Sequence, residues 1–60
     1  MKQLLIKQCF DQLMWYSDHV GKLVPYTGED DNVYWSREND GTPNIVQKHD
    51  AIVVTLPRIN

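Results

Sequence analysis

The chain has 60 residues, of which 42% are apolar, and a formal net charge of −2 at pH 7. This length accommodates one small domain, residues 1–60, and leaves no room for a second. A single cysteine, Cys9, cannot form an internal disulfide, and two histidines without a cysteine pair cannot make a structural zinc site. No apolar run reaches the ~18 residues of a membrane span. The composition predicts a cytoplasmic protein that binds no membrane, metal or cofactor.

Residues 2–17 are predicted to form an N-terminal amphipathic helix, because they include no glycine or proline and many residues of high helix propensity. At about 100° per residue, one stripe of this helix is apolar. The stripe consists of Leu5, Ile6, Cys9, Phe10, Leu13 and Tyr16. Leu4 and Trp15 point to the polar side, where they either complete the core or form a contact surface for a partner or a second copy. Gly21 ends the segment.

The second part of the chain, residues 21–56, is predicted to form four short strands separated by turn residues. The strands cover residues 22–27, 33–37, 42–47 and 51–56. Polar turns lie between them at residues 28–32, 38–41 and 48–50, and residues 57–60 form a tail. The sequence thus predicts the α+β class, with the N-terminal helix packed on a small four-stranded antiparallel sheet.

Residues 31–54 resemble the distal half of an SH3 domain. An aromatic pair followed by a small residue and an arginine occupies residues 34–37, a turn follows at Asp40 and Gly41, and Ile45 and Val46 lie in the returning strand. Residues 21–26 then correspond to the preceding strand. The resemblance implies that the sheet curls toward an SH3-like barrel. It does not extend to the ligand, because the opening aromatic motif is absent and residues 48–51 replace the proline and tyrosine before the last strand.

Acidic residues are concentrated in the middle of the chain. Residues 29–40 carry five carboxylates against one arginine, a net charge of −4. This acidic segment repels a phosphate backbone, and the chain has only six basic residues to attract one. Nucleic acid is therefore not expected as a partner.

Catalysis is not predicted. His19 and His49 are the only side chains whose usual pKa lies near neutral pH, and Cys9 is the strongest nucleophile. Cys9 lies on the apolar stripe, where a thiol is buried and inert, and His49 lies in a turn. The carboxylates of residues 29–31 lack the alternating spacing of a calcium loop. The sequence therefore predicts a protein that is not an enzyme.

Aromatic side chains and arginine are the residue types that anchor protein interfaces. Strand alternation places Trp35 and Arg37 on one face and Tyr34 on the other, so one of the two aromatics is exposed. The predicted partner-binding residues are Tyr26, Tyr34, Trp35, Arg37, Glu29, Asp30 and Asp31, with a possible second contact at Leu4 and Trp15. The alternative is that these aromatics only complete a small core.

The sequence predicts a small non-catalytic protein-binding module, and its size suggests a bacterial or phage regulator or inhibitor of a larger protein. A first alternative is a self-assembling structural protein, in which the Leu4–Trp15 patch or the apolar edge of residues 51–56 pairs with another copy. A second alternative is a barrel that binds single-stranded nucleic acid by stacking bases on Tyr34 and Trp35.

Overall fold

The computed structural model describes residues 1–57, and this part of the chain forms six β-strands and one short 3-10 helix. The strands are β1 (Lys2–Ile6), β2 (Leu23–Pro25), β3 (Gly28–Glu29), β4 (Val33–Arg37), β5 (Pro43–Gln47) and β6 (Ala51–Thr55), and the 3-10 helix (Lys48–Asp50) lies between β5 and β6. All strand pairs are antiparallel. Sheet A has the order β2-β1-β6, and sheet B has the order β3-β4-β5. Residues 58–60 of the predicted tail lie outside the described residues.

The predicted helix over residues 2–17 is wrong. Residues 2–6 form β1, which pairs with β2 on one side and with β6 on the other. Leu4 and Ile6, two residues apart, are fully buried, which is the periodicity of a strand. Phe10 and Leu13 of the predicted apolar stripe are 82% and 94% exposed. The predicted α+β class with one four-stranded sheet is therefore replaced by two three-stranded sheets, and residues 7–22 form a long loop between β1 and β2.

Three of the five strands in the second part follow the sequence prediction closely, whereas β3 lies in the predicted turn at residues 28–32. The strand predicted at residues 33–37 coincides with β4, and those at 42–47 and 51–56 differ from β5 and β6 by one residue. The strand predicted at residues 22–27 is shorter, because only residues 23–25 pair with β1. After Pro25 the chain leaves sheet A, and Gly28 and Glu29 pair with β4 in sheet B.

One apolar cluster joins the two sheets and the long loop. Its fully or almost fully buried members are Leu4, Ile6, Tyr16, Val24, Val46 and Ala51. Leu4 lies opposite Val24, and Ile6 lies opposite Ala51, so sheet A supplies most of the cluster from one face. The Ser36 hydroxyl, also buried, donates a 2.8 Å hydrogen bond to the Pro25 carbonyl and links β4 to β2.

The turn between β4 and β5 forms as the sequence predicts. Gly41 has a φ of 89°, a conformation that residues with a Cβ rarely adopt. Its N–H donates to the Glu38 carbonyl at 2.9 Å, and the Asp40 carboxylate accepts a 2.9 Å hydrogen bond from the Thr42 N–H. These local bonds fix the hairpin that positions both faces of β4.

Candidate partner-binding site

Two half-buried tyrosines, a glutamate and a lysine form a surface cluster beside sheet B, which we call the tyrosine–lysine cluster (Tyr26, Glu29, Tyr34 and Lys48). The Tyr26 hydroxyl donates a 2.8 Å hydrogen bond to Glu29 Oε1, and Lys48 Nζ donates a 2.7 Å hydrogen bond to Oε2. Lys48 Nζ also lies 5.4 Å from the centroid of the Tyr34 ring, within cation–π distance. The two tyrosine rings meet edge to face with centroids 6.2 Å apart. One carboxylate therefore holds both a phenol and an ammonium group in place.

Short-range features of the sequence position this cluster. Glu29 is the cross-strand partner of Tyr34, and Lys48 begins the 3-10 helix directly after β5. The turn from β3 to β4 is closed by the Asp30 carboxylate, which accepts hydrogen bonds from the N–H groups of Asn32 and Val33 at 2.7 and 2.9 Å. The cluster is thus built on paired strands and a turn that closes with its own side chain.

The hydrogen bonds of the cluster shift the pKa values of its members. Those from Lys48 and Tyr26 lower the pKa of Glu29, and the bond to Glu29 raises the pKa of both Lys48 and Tyr26. Backbone hydrogen bonds lower the pKa of Asp30. The carboxylates are therefore ionised and the lysine is protonated at neutral pH. Together with the exposed Asp31, this region carries more negative than positive charge.

The sequence-predicted partner-binding residues do not form one surface. Trp35 and Arg37 lie on the face of β4 opposite to Tyr34, and Trp35 is 43% exposed. The Arg37 guanidinium donates a 2.9 Å hydrogen bond to the Gly41 carbonyl, so it folds back on its own hairpin. The sequence interpretation also missed Lys48, whose position in a polar turn gave no local signal of its contact with Glu29, 19 residues away.

The predicted second contact, formed by Leu4 and Trp15, is wrong for Leu4. This side chain is fully buried in the core, since it lies on the inner face of the central strand of sheet A. Trp15 is half-buried, and its Nε1–H donates a 2.7 Å hydrogen bond to the Ile45 carbonyl. It therefore joins the long loop to β5.

Trp15 also lines an open cleft of about 250 Å³ between the long loop and the β4–β5 turn, together with Asp18, His19 and residues 38–40. This volume is below the ~300–1,000 Å³ of most small-molecule sites. His19 Nδ1 lies 2.6 Å from Asp18 Oδ1. Among residues 1–57, no three His, Cys, Asp or Glu side chains are grouped closely enough to hold a metal ion.

A buried tyrosine–carboxylate pair fastens the long loop to the connection between β5 and β6. The Tyr16 hydroxyl donates to Asp50 Oδ2 and accepts a 3.2 Å hydrogen bond from the Gln47 N–H. The other oxygen, Asp50 Oδ1, lies 3.3 Å from His49 Nε2 without hydrogen-bond geometry. The Asp50 carbonyl accepts a 2.7 Å hydrogen bond from the Lys7 N–H. Asp50 therefore has a structural role in holding the long loop against the connection between β5 and β6.

We expect this pair to make the protein sensitive to alkali. Burial, followed by the hydrogen bond to Asp50, raises the pKa of Tyr16 above its ordinary value of 10.0. The stabilisation from neutral Tyr16 is complete below about pH 10 and decreases by up to about 1.4 kcal/mol per pH unit above it. In a spectroscopic titration, the last of the three tyrosines should ionise together with the loss of the native circular dichroism spectrum. Full tyrosinate absorbance in a protein with the native spectrum would contradict this.

No family model, curated protein or solved structure matches this chain. The resemblance of residues 31–54 to SH3 domains therefore stays a prediction. Within the described residues, no helix has the length and hydrophobicity needed to cross a bilayer.

Proposed function

We propose that this protein is a non-catalytic protein-binding module that regulates or inhibits a larger protein, and that it binds through the tyrosine–lysine cluster. The observation that supports this proposal is the shared carboxylate of Glu29, which holds the Tyr26 hydroxyl and the Lys48 ammonium at the surface. Both tyrosine rings also pack against the core, so their exposed parts have little conformational freedom for a partner to restrict.

The charges around the cluster favour a basic partner. Asp30 and Asp31 extend the negative charge of Glu29 beyond the lysine, and both are exposed. Tyrosine rings offer apolar area with a polar end and are common at the centre of interfaces. A partner segment with a Lys or Arg beside an apolar side chain would match both properties: the apolar group would contact the rings, and the cation would lie near the carboxylates.

The nucleic-acid alternative has less support from the same contacts. The Lys48 ammonium lies over the Tyr34 ring that would have to stack with a base, and Glu29 neutralises that ammonium. Phosphates approaching the ring would also meet Asp30 and Asp31. Stacking proteins instead combine exposed rings with a positively charged groove.

The proposal is tested by selecting random peptides displayed on phage against the wild-type protein. We expect the enriched peptides to contain a basic residue next to an apolar one. Tyr34→Ala should weaken their binding by about 20-fold or more, as expected for an anchoring aromatic residue. Glu29→Gln, which removes only a charge, should weaken binding less and make it less dependent on salt.

Trp35→Ala is the matched control, because it removes a larger aromatic side chain from the opposite face of the same strand. We expect its binding of the selected peptides to equal that of the wild type. Circular dichroism should show that each variant is folded before binding is compared. The proposed site would be overturned if the Tyr34→Ala and Glu29→Gln variants both bound the peptides as tightly as the wild type does. Loss of binding with Trp35→Ala alone would also overturn it.

A further inference from the structure

The outer edge of β6 offers backbone groups that no described residue binds. β6 is an edge strand, because sheet A has the order β2-β1-β6. The N–H and C=O of Ile6 form hydrogen bonds with Lys22 and Gly21 on the β2 side, at 3.1 and 2.8 Å. The next residue, Lys7, donates its N–H to Asp50 on the β6 side. Backbone groups therefore alternate between the two neighbours along β1, and Leu5 and Gln3 face β6.

This alternation defines which groups of β6 remain free. Leu5 pairs with Ile52 and Gln3 pairs with Val54, so these two β6 residues bind β1. The N–H and C=O groups of Val53 and Thr55 consequently face away from β1. Within residues 1–57, no hydrogen bond from another strand, a turn or a side chain reaches them. An edge of this kind is a template for another strand.

The composition of β6 provides none of the usual protection against pairing. Its five residues, AIVVT, include no charge and no proline, and its pairing with β1 contains no bulge. On the outer face of sheet A, Leu5 lies between Leu23 and Ile52, which are 43% and 41% exposed. An apolar row thus runs across the outer face of the sheet and ends at the free edge.

We propose that β6 pairs with β6 of a second copy of this chain, antiparallel about a twofold axis at Val53. In this register Val53 lies opposite Val53 of the second copy, Ala51 opposite Thr55, and Ile52 opposite Val54. Val53 of one copy then meets Val53 of the other, so the free N–H and C=O groups of these two residues are paired. Every cross-strand contact is uncharged, and the two copies form one six-stranded sheet.

A second copy fits this edge because the strand is complementary to itself, and the assembly ends at two chains. The opposite edge of sheet A is β2, which has only three residues and ends in Pro25, a residue without an N–H to donate. A strand cannot extend the sheet there as it can at β6. The twofold contact uses the same surface on both copies and is therefore closed.

The proposal is tested by sedimentation equilibrium of the purified protein between about 10 μM and 1 mM. We expect the mass to approach twice the 7.0 kDa of the monomer as concentration rises. Ile52→Lys should weaken association at least 10-fold, because it puts a charge opposite Val54 of the second copy. The two introduced lysines, one from each copy, would also be diagonal neighbours and repel each other. Leu23→Lys is the matched control: it makes the same kind of change at an equally exposed position two strands away, and association should stay within about twofold of wild type.

A mixture of labelled and unlabelled protein gives the register directly. Ile52 and Val54 of the two copies would form a non-hydrogen-bonded pair, in which the Cα atoms are only about 4.5 Å apart. We expect an intermolecular nuclear Overhauser effect between their Hα protons. The proposal is overturned if the protein stays monomeric at 1 mM. This includes the case in which β6 pairs only with a strand of another protein. So does equal loss of association in the two lysine variants, which would indicate stacking of sheet faces instead of edge pairing.

Discussion

Replacing Leu4 with alanine should lower the free energy of unfolding by about 2–5 kcal/mol, the range for truncation of a fully buried leucine. Leu4 is 0% exposed and lies between Val24 and Val53 on the inner face of sheet A, so the three removed carbons leave a cavity between its two neighbouring strands. A 60-residue domain has little stability in reserve. We therefore expect the variant to be largely unfolded in water at 25 °C, as measured by circular dichroism and urea titration.

Leu13→Ala is the matched control for this prediction. It is the same substitution in the long loop, at a side chain that is 94% exposed. Its stability should equal that of the wild type within experimental error, because almost no contact is removed. A native-like Leu4→Ala variant with normal stability would contradict the inner position of Leu4 and restore it as a surface residue.

Replacing Tyr16 with phenylalanine should cost about 1.5–3 kcal/mol, although only one oxygen atom is removed. The hydroxyl is the hydrogen-bond donor to Asp50 Oδ2 and the acceptor for the Gln47 N–H. Without it, a carboxylate that is 3% exposed loses its hydrogen bond at Oδ2. Buried charges without partners are among the most destabilising features in proteins. Urea unfolding at pH 7 measures the loss.

Tyr26→Phe makes the same change where a tyrosine also donates to a carboxylate, that of Glu29, but at the surface. Water can replace this hydrogen bond, so the effect on stability should be much smaller than at Tyr16. The double variant Tyr16→Phe/Asp50→Asn should recover part of the loss, since no charge then remains buried. Equal effects of the two phenylalanine variants would show that Asp50 is not isolated from solvent.

The sequence was sufficient to locate β4, β5 and β6, because their signals are local, but it placed β3 in a turn. β4 has the composition VYWSR, rich in aromatic and β-branched residues, and the turn before β5 contains a glycine that adopts positive φ. Strand alternation also predicted that either Tyr34 or Trp35 is the more exposed aromatic residue of β4. In the structure the face with Trp35 and Arg37 is the more exposed one. These features depend on neighbours within a few residues.

The N-terminal segment could not be predicted in the same way. The run LLI at residues 4–6 fits a helix stripe as well as a strand, and β1 is a strand because it has partners from distant parts of the chain on both sides. The apparent helical stripe arose because Phe10 and Leu13, which are exposed, happened to have helical spacing. Of the tyrosine–lysine cluster, Tyr26, Glu29 and Tyr34 were among the predicted partner-binding residues. Lys48 was not, since its bond to Glu29 depends on how β3 and the 3-10 helix are placed.

The pairing of β1 with β6 has a consequence for how the protein is made. Lys2 lies opposite Thr55, so the central strand of sheet A is synthesised first and its second partner more than fifty residues later. The β4–β5 hairpin needs only a short turn and can form while the chain is still growing, whereas sheet A cannot close until residue 55 has left the ribosome. Until then the edge of β1 that binds β6, and the apolar face of β1, are accessible to chaperones and proteases. The time spent in this half-assembled state should therefore depend on the rate of translation through the last strand.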